Sequence, residues 1–539
     1  MGQLNLTVPA QSKQDGKASI SVRELESWLD NLPQVNLVSA FVEINEKLHQ
    51  LNRQSFPAQQ RMELQSAIAR STYNLKHYLQ PSDYKKNPDL KNQVRQNAQE
   101  TTFTYKIIAL DIEKNPPRLG HKKFLQQALV SALEALTEYS LFYYNDYQKL
   151  PAQLWNEATI IYRYAQNNML ELDATHAKSG SSISLNQAYQ TFAILKLSDP
   201  YQIQPGSIWA LHEYLKTLPV KTLLMNSGDT LQANQSPITI SKSTSISEYD
   251  LLINVSPLYE QIEADIHSLT KNIPSELHDI LKLASSGVLK HTLKRALSSL
   301  SNQIERKSDR IQTHQRFEIA VGLAACCHLM TSKPDLDNDP DNDDLILSSQ
   351  ESSSVAQAQY AAHACTSINR NAGGLALRFE NKHHLPIQVG QIIGIHKPGN
   401  NNENWVIGVC RWMTEQTSQR SIDLGIQYLT QKAMPASLNQ GNTSKQKPPA
   451  LASLQKQGNQ QIATLITPAG FYKENRGLEL CLDDQSLPIS CLQLIESTSL
   501  FERFIYKSAS KIATMNTQQL SDPPQNRQQT KAPAEVESK

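Results

Sequence analysis

The run with the most chemical content is Thr366-Ser367-Ile368-Asn369-Arg370-Asn371-Ala372-Gly373-Gly374-Leu375-Ala376-Leu377. Asn369 and Asn371 stand two apart, and two glycines come next before apolar residues resume. A carboxamide both donates and accepts hydrogen bonds, so this pair can read the polar edge or the phosphate of a ligand. Adjacent glycines admit a turn with positive φ. Upstream lie Arg306-Lys307-Ser308-Asp309-Arg310 and, six residues further on, Arg316; a solvated linker is the plain account of the first group. Enzyme chemistry is absent from the pattern: there is no glycine-rich phosphate loop, no HExxH and no GxSxG. The chain is therefore expected not to be an enzyme. Asp335, Asp337, Asp339, Asp341 and Asp343 alternate as in a calcium loop, but Pro340 occupies the sixth position and Ile346 the twelfth, where glycine and glutamate are needed. An acidic, flexible insertion over 331–365 is the better account. His363, His383 and His384 are scattered. The six cysteines include no CxxC pair, and Cys326-Cys327 falls in an apolar run, which fits reduced, buried thiols rather than a metal site. No cofactor or metal is expected.

These residues sit in a chain of 539 residues, too long for one core, so several domains are expected. The net charge of +1 argues against a general nucleic-acid or membrane-surface binder. No run of about 18 apolar residues indicates a membrane span, and the start of the chain lacks a signal-peptide pattern. A cytoplasmic protein with no membrane insertion is expected.

Residues 1–20 are polar and aperiodic, and read as disordered. From 21 to 300 helical periodicity dominates. Ser21 with Glu24 has the spacing of a capping box, Asn36 can cap the next helix, and Pro57 suits the opening of a third. The stretch 118–217 contains helix pairs of tetratricopeptide size, without a clean 34-residue repeat. Tyr139, Phe142, Tyr143, Tyr144 and Tyr147 form an aromatic cluster that reads mainly as core, with a partner-binding groove as the sharper alternative. A β-hairpin is expected within 229–256. Short β runs then fill 306–432, with the first strand placed over Phe317–Leu329. A low-complexity linker over 433–458, a second small β-rich domain over 459–507 and a disordered tail over 508–539 complete the chain. The fold class is α+β multidomain.

Four pieces in order make the region 306–432 resemble a PilZ domain, the small β-barrel with which bacteria read cyclic di-GMP. They are the Asn369-x-Asn371-x-Gly373-Gly374 turn, Gln388–Ile395, Trp405–Met413 with its Gly408-Val409-Cys410-Arg411-Trp412, and Asp423–Leu429. Asn371 stands where the family usually has serine. The resemblance implies a nucleotide site using Arg310, Arg316, Asn369, Asn371, Gly374 and Arg411, in which two arginines four residues apart make bidentate contacts to guanine and phosphate. Arg316 occupies the second of those positions, but Gln312 occupies the first. The region 459–507 resembles the small barrel that trails PilZ-like domains in long proteobacterial proteins with helical N-termini. The implied function is a cyclic di-GMP-responsive effector whose helical region engages a protein partner; the alternative is a PilZ-like adaptor that binds no nucleotide.

Overall fold

The computed structural model describes residues 4–12, 20–33, 35–77, 79–176, 182–218, 223–226, 238–239, 251–269, 273–301, 310–331, 360–380, 387–398, 405–416, 421–439, 447–457, 460–482 and 485–508. The basic run 306–309, the acidic insertion from 332 to 359, His383 and His384, and the tail after Ser508 lie outside them. The chain divides into two compact units, one of residues 1–313, 368–389 and 410–425, the other of residues 314–367, 390–409 and 426–539.

Helices build most of the first unit: α1 Val22–Asp30, α2 Leu37–Asn52, α3 Ala58–Lys76, α4 Pro81–Lys86, α5 Pro88–Lys114, α6 His121–Asn145, α7 Ala152–Asn167, α8 Leu185–Leu197, α9 Ser207–Thr217, α10 Ser256–Ser268 and α11 Ser286–Leu300. Their starts reflect local chemistry. Ser21 and Glu24 close the expected capping box on α1, and Asn36 caps α2 through Ser39 N–H. Asn87 accepts from Leu90 N–H with Pro88 at the first helical position of α5. Pro57 sits just before α3. The aromatic cluster is largely core: Tyr139, Phe142, Tyr144 and Tyr147 are buried, and Tyr143 packs against them part-exposed.

Two large buried cations in this unit have partners. Arg61, 2% exposed, donates to the Leu51 and Gln54 carbonyls at the end of α2, where a helix leaves carbonyls without partners. Lys106 and Glu157 form an ion pair at 2.8 Å with both side chains almost fully enclosed. The expected disorder of residues 1–20 does not extend to residues 4–12. Leu4 and Leu6 are buried, Leu4 and Thr7 N–H donate to Glu113 and Glu157, and Ser12 exchanges backbone bonds with Arg53 and Ser55. Two leucines in a polar run suffice because backbone donors and carboxylates do the rest.

Two small sheets interrupt the helices. β1 Thr175–His176 pairs with β2 Ser182–Ile183. The hairpin expected within 229–256 is instead a three-stranded sheet, with β5 Leu251–Asn254 between β3 Leu223–Asn226 and β4 Ile238–Thr239. Every residue of β5 is buried, as a central strand requires.

The first barrel comprises β6 Ile311–Gln312, β7 Arg316–Val321, β8 His363–Asn371, β9 Gly374–Glu380, β10 Ile392–His396, β11 Val406–Gln416 and β12 Ser421–Thr430. The strand order is β6-β8-β7-β10-β11-β12-β9, and pairing of β8 with β9 closes six of the strands into a ring. The first strand does not run to Leu329. It stops at Val321, Gly322 turns the chain with φ +96°, and helix α12, Leu323–Thr331, comes next. The apolar run containing Cys326-Cys327 is thus a helix. Cys326 packs beneath Gly394, and the Cys327 thiol donates to the Ala450 carbonyl at 3.3 Å.

The second barrel is closed, in the order β13-β14-β15-β18-β17-β16. Its strands are β13 Met434–Asn439, β14 Pro449–Gln457, β15 Gln460–Pro468, β16 Gly477–Leu482, β17 Gln485–Ser497 and β18 Phe501–Ser508. The expected linker 433–458 therefore supplies two of its six strands. Leu438, Ala450, Leu451 and Ala452 are buried, but small residues and a polar stretch between them mask the pattern in the sequence.

Candidate functional site

In the first unit, β6 lies antiparallel against the end of β8, with Ile311 opposite Arg370 and Gln312 opposite Asn369. Carried one residue further, this register sets Arg310 opposite Asn371. Directly opposed side chains share one face of a ladder. Arg310, Gln312, Asn369 and Asn371 therefore gather on one polar face, and Ile311 and Arg370 on the other. Arg310 and Gln312 are exposed; Asn369 and Asn371 are half-buried. Asn371 ends β8, and its Oδ1 accepts from Gly373 N–H at 3.0 Å. That bond closes the two-residue turn into β9, which begins at Gly374.

The turn does not use positive φ. Neither Gly373 nor Gly374 has it, and a Cβ on Gly373 would come no closer than 3.8 Å to Asn371 Oδ1. The carboxamide of Asn371, rather than glycine's freedom, shapes the turn. An asparagine can hold such an Asx turn as a serine does, so the departure from the family's serine retains the local geometry.

The other expected residues fall elsewhere. Arg316, exposed, opens β7 opposite Thr366 in the second unit. Arg411 is half-buried on β11, which the strand order separates from β8 by two strands in either direction. Arg370, exposed between the two asparagines, lies with Ile311 on the opposite face of this ladder.

Glycine is required on the far strands instead. A Cβ on Gly425 of β12 would overlap the Trp412 indole, so the glycine lets the ring cross the strand. On β9, Arg378 makes a bidentate pair with Asp423 of β12, at 2.7 and 3.0 Å, and Gln416 donates to the same carboxylate at 3.2 Å. Burial pushes the Cys410 thiol beside Arg411 up to about 12.

The first unit also joins helices to barrel strands. Tyr147 takes the left-handed conformation after α6, with φ 56°. Its hydroxyl donates to the Ile203 carbonyl at 3.0 Å and accepts from Val389 N–H at 3.3 Å, while its carbonyl accepts from Glu415 N–H at 2.9 Å. Gln148 bridges to Glu415 of β11 through backbone and side chain.

Comparison with known proteins matches all three parts of the chain, in order. Residues 23–224 match the model described as "Cyclic-di-GMP receptor FimW, N-terminal domain", residues 330–435 "Cyclic-di-GMP receptor FimW, middle PilZ domain", and residues 438–509 "FimW C-terminal beta-barrel domain". The chain is a divergent member of the PilZ-domain family. A relative from Pseudomonas aeruginosa named cyclic-di-GMP receptor FimW is 20% identical, and the alignment covers 96% of each chain. The middle PilZ match begins at 330, downstream of Arg310 and Arg316 and upstream of Asn369, Asn371 and Gly374. Among the described residues no helix is long and apolar enough to cross a membrane, and no cluster of three His, Cys, Asp or Glu residues is placed to hold a metal.

Proposed function

We propose that this PilZ-family chain is a cyclic di-GMP effector whose ligand engages the polar face formed by Arg310, Asn369 and Asn371 beside the Gly374 turn. The supporting observation is the β6–β8 register, which sets a guanidinium opposite the second asparagine of the turn motif. A guanidinium there can take a phosphate or the O6/N7 edge of guanine by two parallel hydrogen bonds, and the carboxamides of Asn369 and Asn371 can donate to the same oxygens. The name of the Pseudomonas aeruginosa relative supports the ligand class. The output runs through the helical region to a protein partner. In support, Tyr147 and Gln148 tie the end of α6 to Glu415 and Val389, so barrel strands and helices form one compact unit. The expected site residues Arg316 and Arg411 enter as separate variants.

Gln312 favours the second reading, an adaptor that binds no nucleotide, because it stands opposite Asn369 where the family places an arginine. Isothermal titration of the full chain with cyclic di-GMP separates the two. The effector reading expects saturable heat, weakened about ten- to a hundredfold by Arg310→Ala, the equivalent of ~1.5–3 kcal/mol for one charge-assisted contact. No heat at tens of micromolar ligand sinks it. Binding lost in Arg316→Ala or Arg411→Ala but kept in Arg310→Ala moves the site off this face. For the output, a pull-down with the full chain is expected to recover a partner in amounts that change with cyclic di-GMP.

A further inference from the structure

Three of the four most exposed large apolar side chains among the described residues lie at one end of the helical region: Leu119 at 90%, Met169 at 78% and Leu172 at 72%. Helix α5 ends here and α6 starts here, with Leu119 in the connection between them. The loop after α7 reaches the same end. Gln126 of α6 holds that loop, donating to the Leu170 carbonyl at 3.0 Å and the Asp173 carbonyl at 2.5 Å. Gln126 follows Leu119 by seven residues, about 10 Å of helical rise. Lys122 and Lys123, both exposed, stand one turn before Gln126 on its side of α6. Their side chains lean toward the start of the helix, so they lie between Leu119 and the loop.

Packing within the chain does not account for Met169. Helix α7 ends with Leu170 N–H donating to the Ala165 carbonyl at 3.0 Å and Met169 N–H to the Gln166 carbonyl at 3.1 Å. Such an end needs one left-handed residue, usually glycine, followed by an apolar residue that packs back on the helix. Leu170, 2% exposed, does the packing. Met169 takes the left-handed position, with φ 52°. A side chain there costs backbone strain and, exposed as it is, gains little from burial.

The surrounding charge is cationic. Residues 114–123 include Lys114, Arg118, Lys122 and Lys123 and no acid. All four cations are exposed, and Arg118, Lys122 and Lys123 form no ion pair among the described residues. Nearby acids are engaged or enclosed: Glu113 accepts from Leu4 N–H, Asp111 lies beside Arg61 and Lys114, and one Glu171 oxygen is buried. Asp173 is the exposed acid of the loop. A chain of net charge +1 thus concentrates cations where its apolar side chains protrude.

We propose that this end of the helical region docks peripherally on an anionic phospholipid bilayer. Leu119, Met169 and Leu172 enter the headgroup layer while Arg118, Lys122 and Lys123 meet the lipid phosphates. Apolar side chains interleaved with cations suit a surface that is anionic outside and apolar beneath. The end is convex and its apolar side chains stand apart, with lysines between them. A bilayer receives such side chains without the shaped pocket that a folded protein would have to supply. The proposal is independent of the cyclic di-GMP reading, since none of its residues belongs to the barrel.

The test sediments the full chain, without nucleotide, with vesicles of phosphatidylcholine and phosphatidylglycerol in equal parts, and with vesicles of phosphatidylcholine alone. Saturable binding to the first is expected, and binding about tenfold weaker to the second. K122E combined with K123E is expected to weaken binding to the anionic vesicles by about tenfold or more. K85E combined with K86E makes the same charge change on exposed lysines of α4, which precedes the opposite end of α5, and is expected to leave binding unchanged. Met169→Gly puts the favoured residue at the left-handed position and so keeps the fold; combined with Leu119→Ser it is expected to weaken binding by about tenfold. No binding, equal binding to both vesicles, or equal loss from the α4 pair overturns the proposal. Loss from the Lys122 and Lys123 changes with none from Met169→Gly and Leu119→Ser also overturns it, being the pattern of an acidic protein or nucleic acid that meets charge alone.

Discussion

The two barrels close with the same number of strands but differ in what they leave open. The second is a plain ring around Leu438, Leu465, Leu480 and Phe504, with each strand paired on both sides. The first carries the extra strand β6, which adds a short ladder to the end of β8. Closure removes sheet edges and the unpaired backbone groups they expose. The added strand leaves such an edge beside β8, and it is there that we propose the ligand engages Arg310, Asn369 and Asn371. In the second barrel, by contrast, β14 meets α12 of the same unit through Cys327 and Ala450.

Breaking the second barrel tests that division with the largest effect. Phe504→Ala removes a fully buried ring and is expected to cost about 3–5 kcal/mol in denaturant unfolding, with cyclic di-GMP affinity of the folded protein unchanged. Altered affinity would tie the second barrel to recognition.

In the first barrel, Gly425→Ala drives a methyl into Trp412 and is expected to cost up to about 3 kcal/mol. Adding Trp412→Leu should recover most of the loss in the same unfolding measurement. No recovery would show that the glycine serves something other than the indole.

Gln312→Arg places a guanidinium opposite Asn369. It is expected to tighten cyclic di-GMP by roughly tenfold, close to one added charged hydrogen bond, with no such gain for arginine at Gln485 on the second barrel, an exposed position. Equal gains at both would reduce the effect to general charge.

The smallest effect is a difference in alkaline stability. Burial raises Cys365 and Cys410 to about 12 and pushes Cys326 up as well, from an ordinary thiol value of about 8.5. A folded-state value above the unfolded one means stability is intact below about pH 8.5 and falls as pH rises toward 12. Cys410→Ala should flatten that fall in thermal unfolding between pH 8.5 and 10 more than Cys481→Ala does.

Helix starts are legible because capping is local: Ser21 with Glu24, and Asn36 three residues before Ser39, satisfy backbone N–H groups wherever the helix sits. The order of the first barrel's strands is also legible, since Ile392–His396 and Ser421–Thr430 carry dense apolar runs. The strands in 433–458 are not, because Ala450 and Ala452 bury little area and gain their meaning only from Leu465 and Phe504 around the ring. The helix at Leu323 is indistinguishable from a continued strand in the sequence, because an apolar run has no period until Gly322 turns it. The asparagine turn is identified by its residues, but the positive φ expected of its glycines is wrong, and the hydrogen bond from Gly373 to Asn371 replaces it.

By itself, the sequence determined the types of residue in the asparagine turn, the helical character of residues 21–300 and the β character of most of residues 363–432 and 459–507, because caps, turns and periodicity act within a few residues. Tertiary structure alone decided that β6 brings Gln312 opposite Asn369 while Arg411 lies strands away, and that a polar terminus docks through Leu4 and Leu6. Register, ring closure and helix packing join residues tens to hundreds of positions apart, and no local propensity encodes those distances.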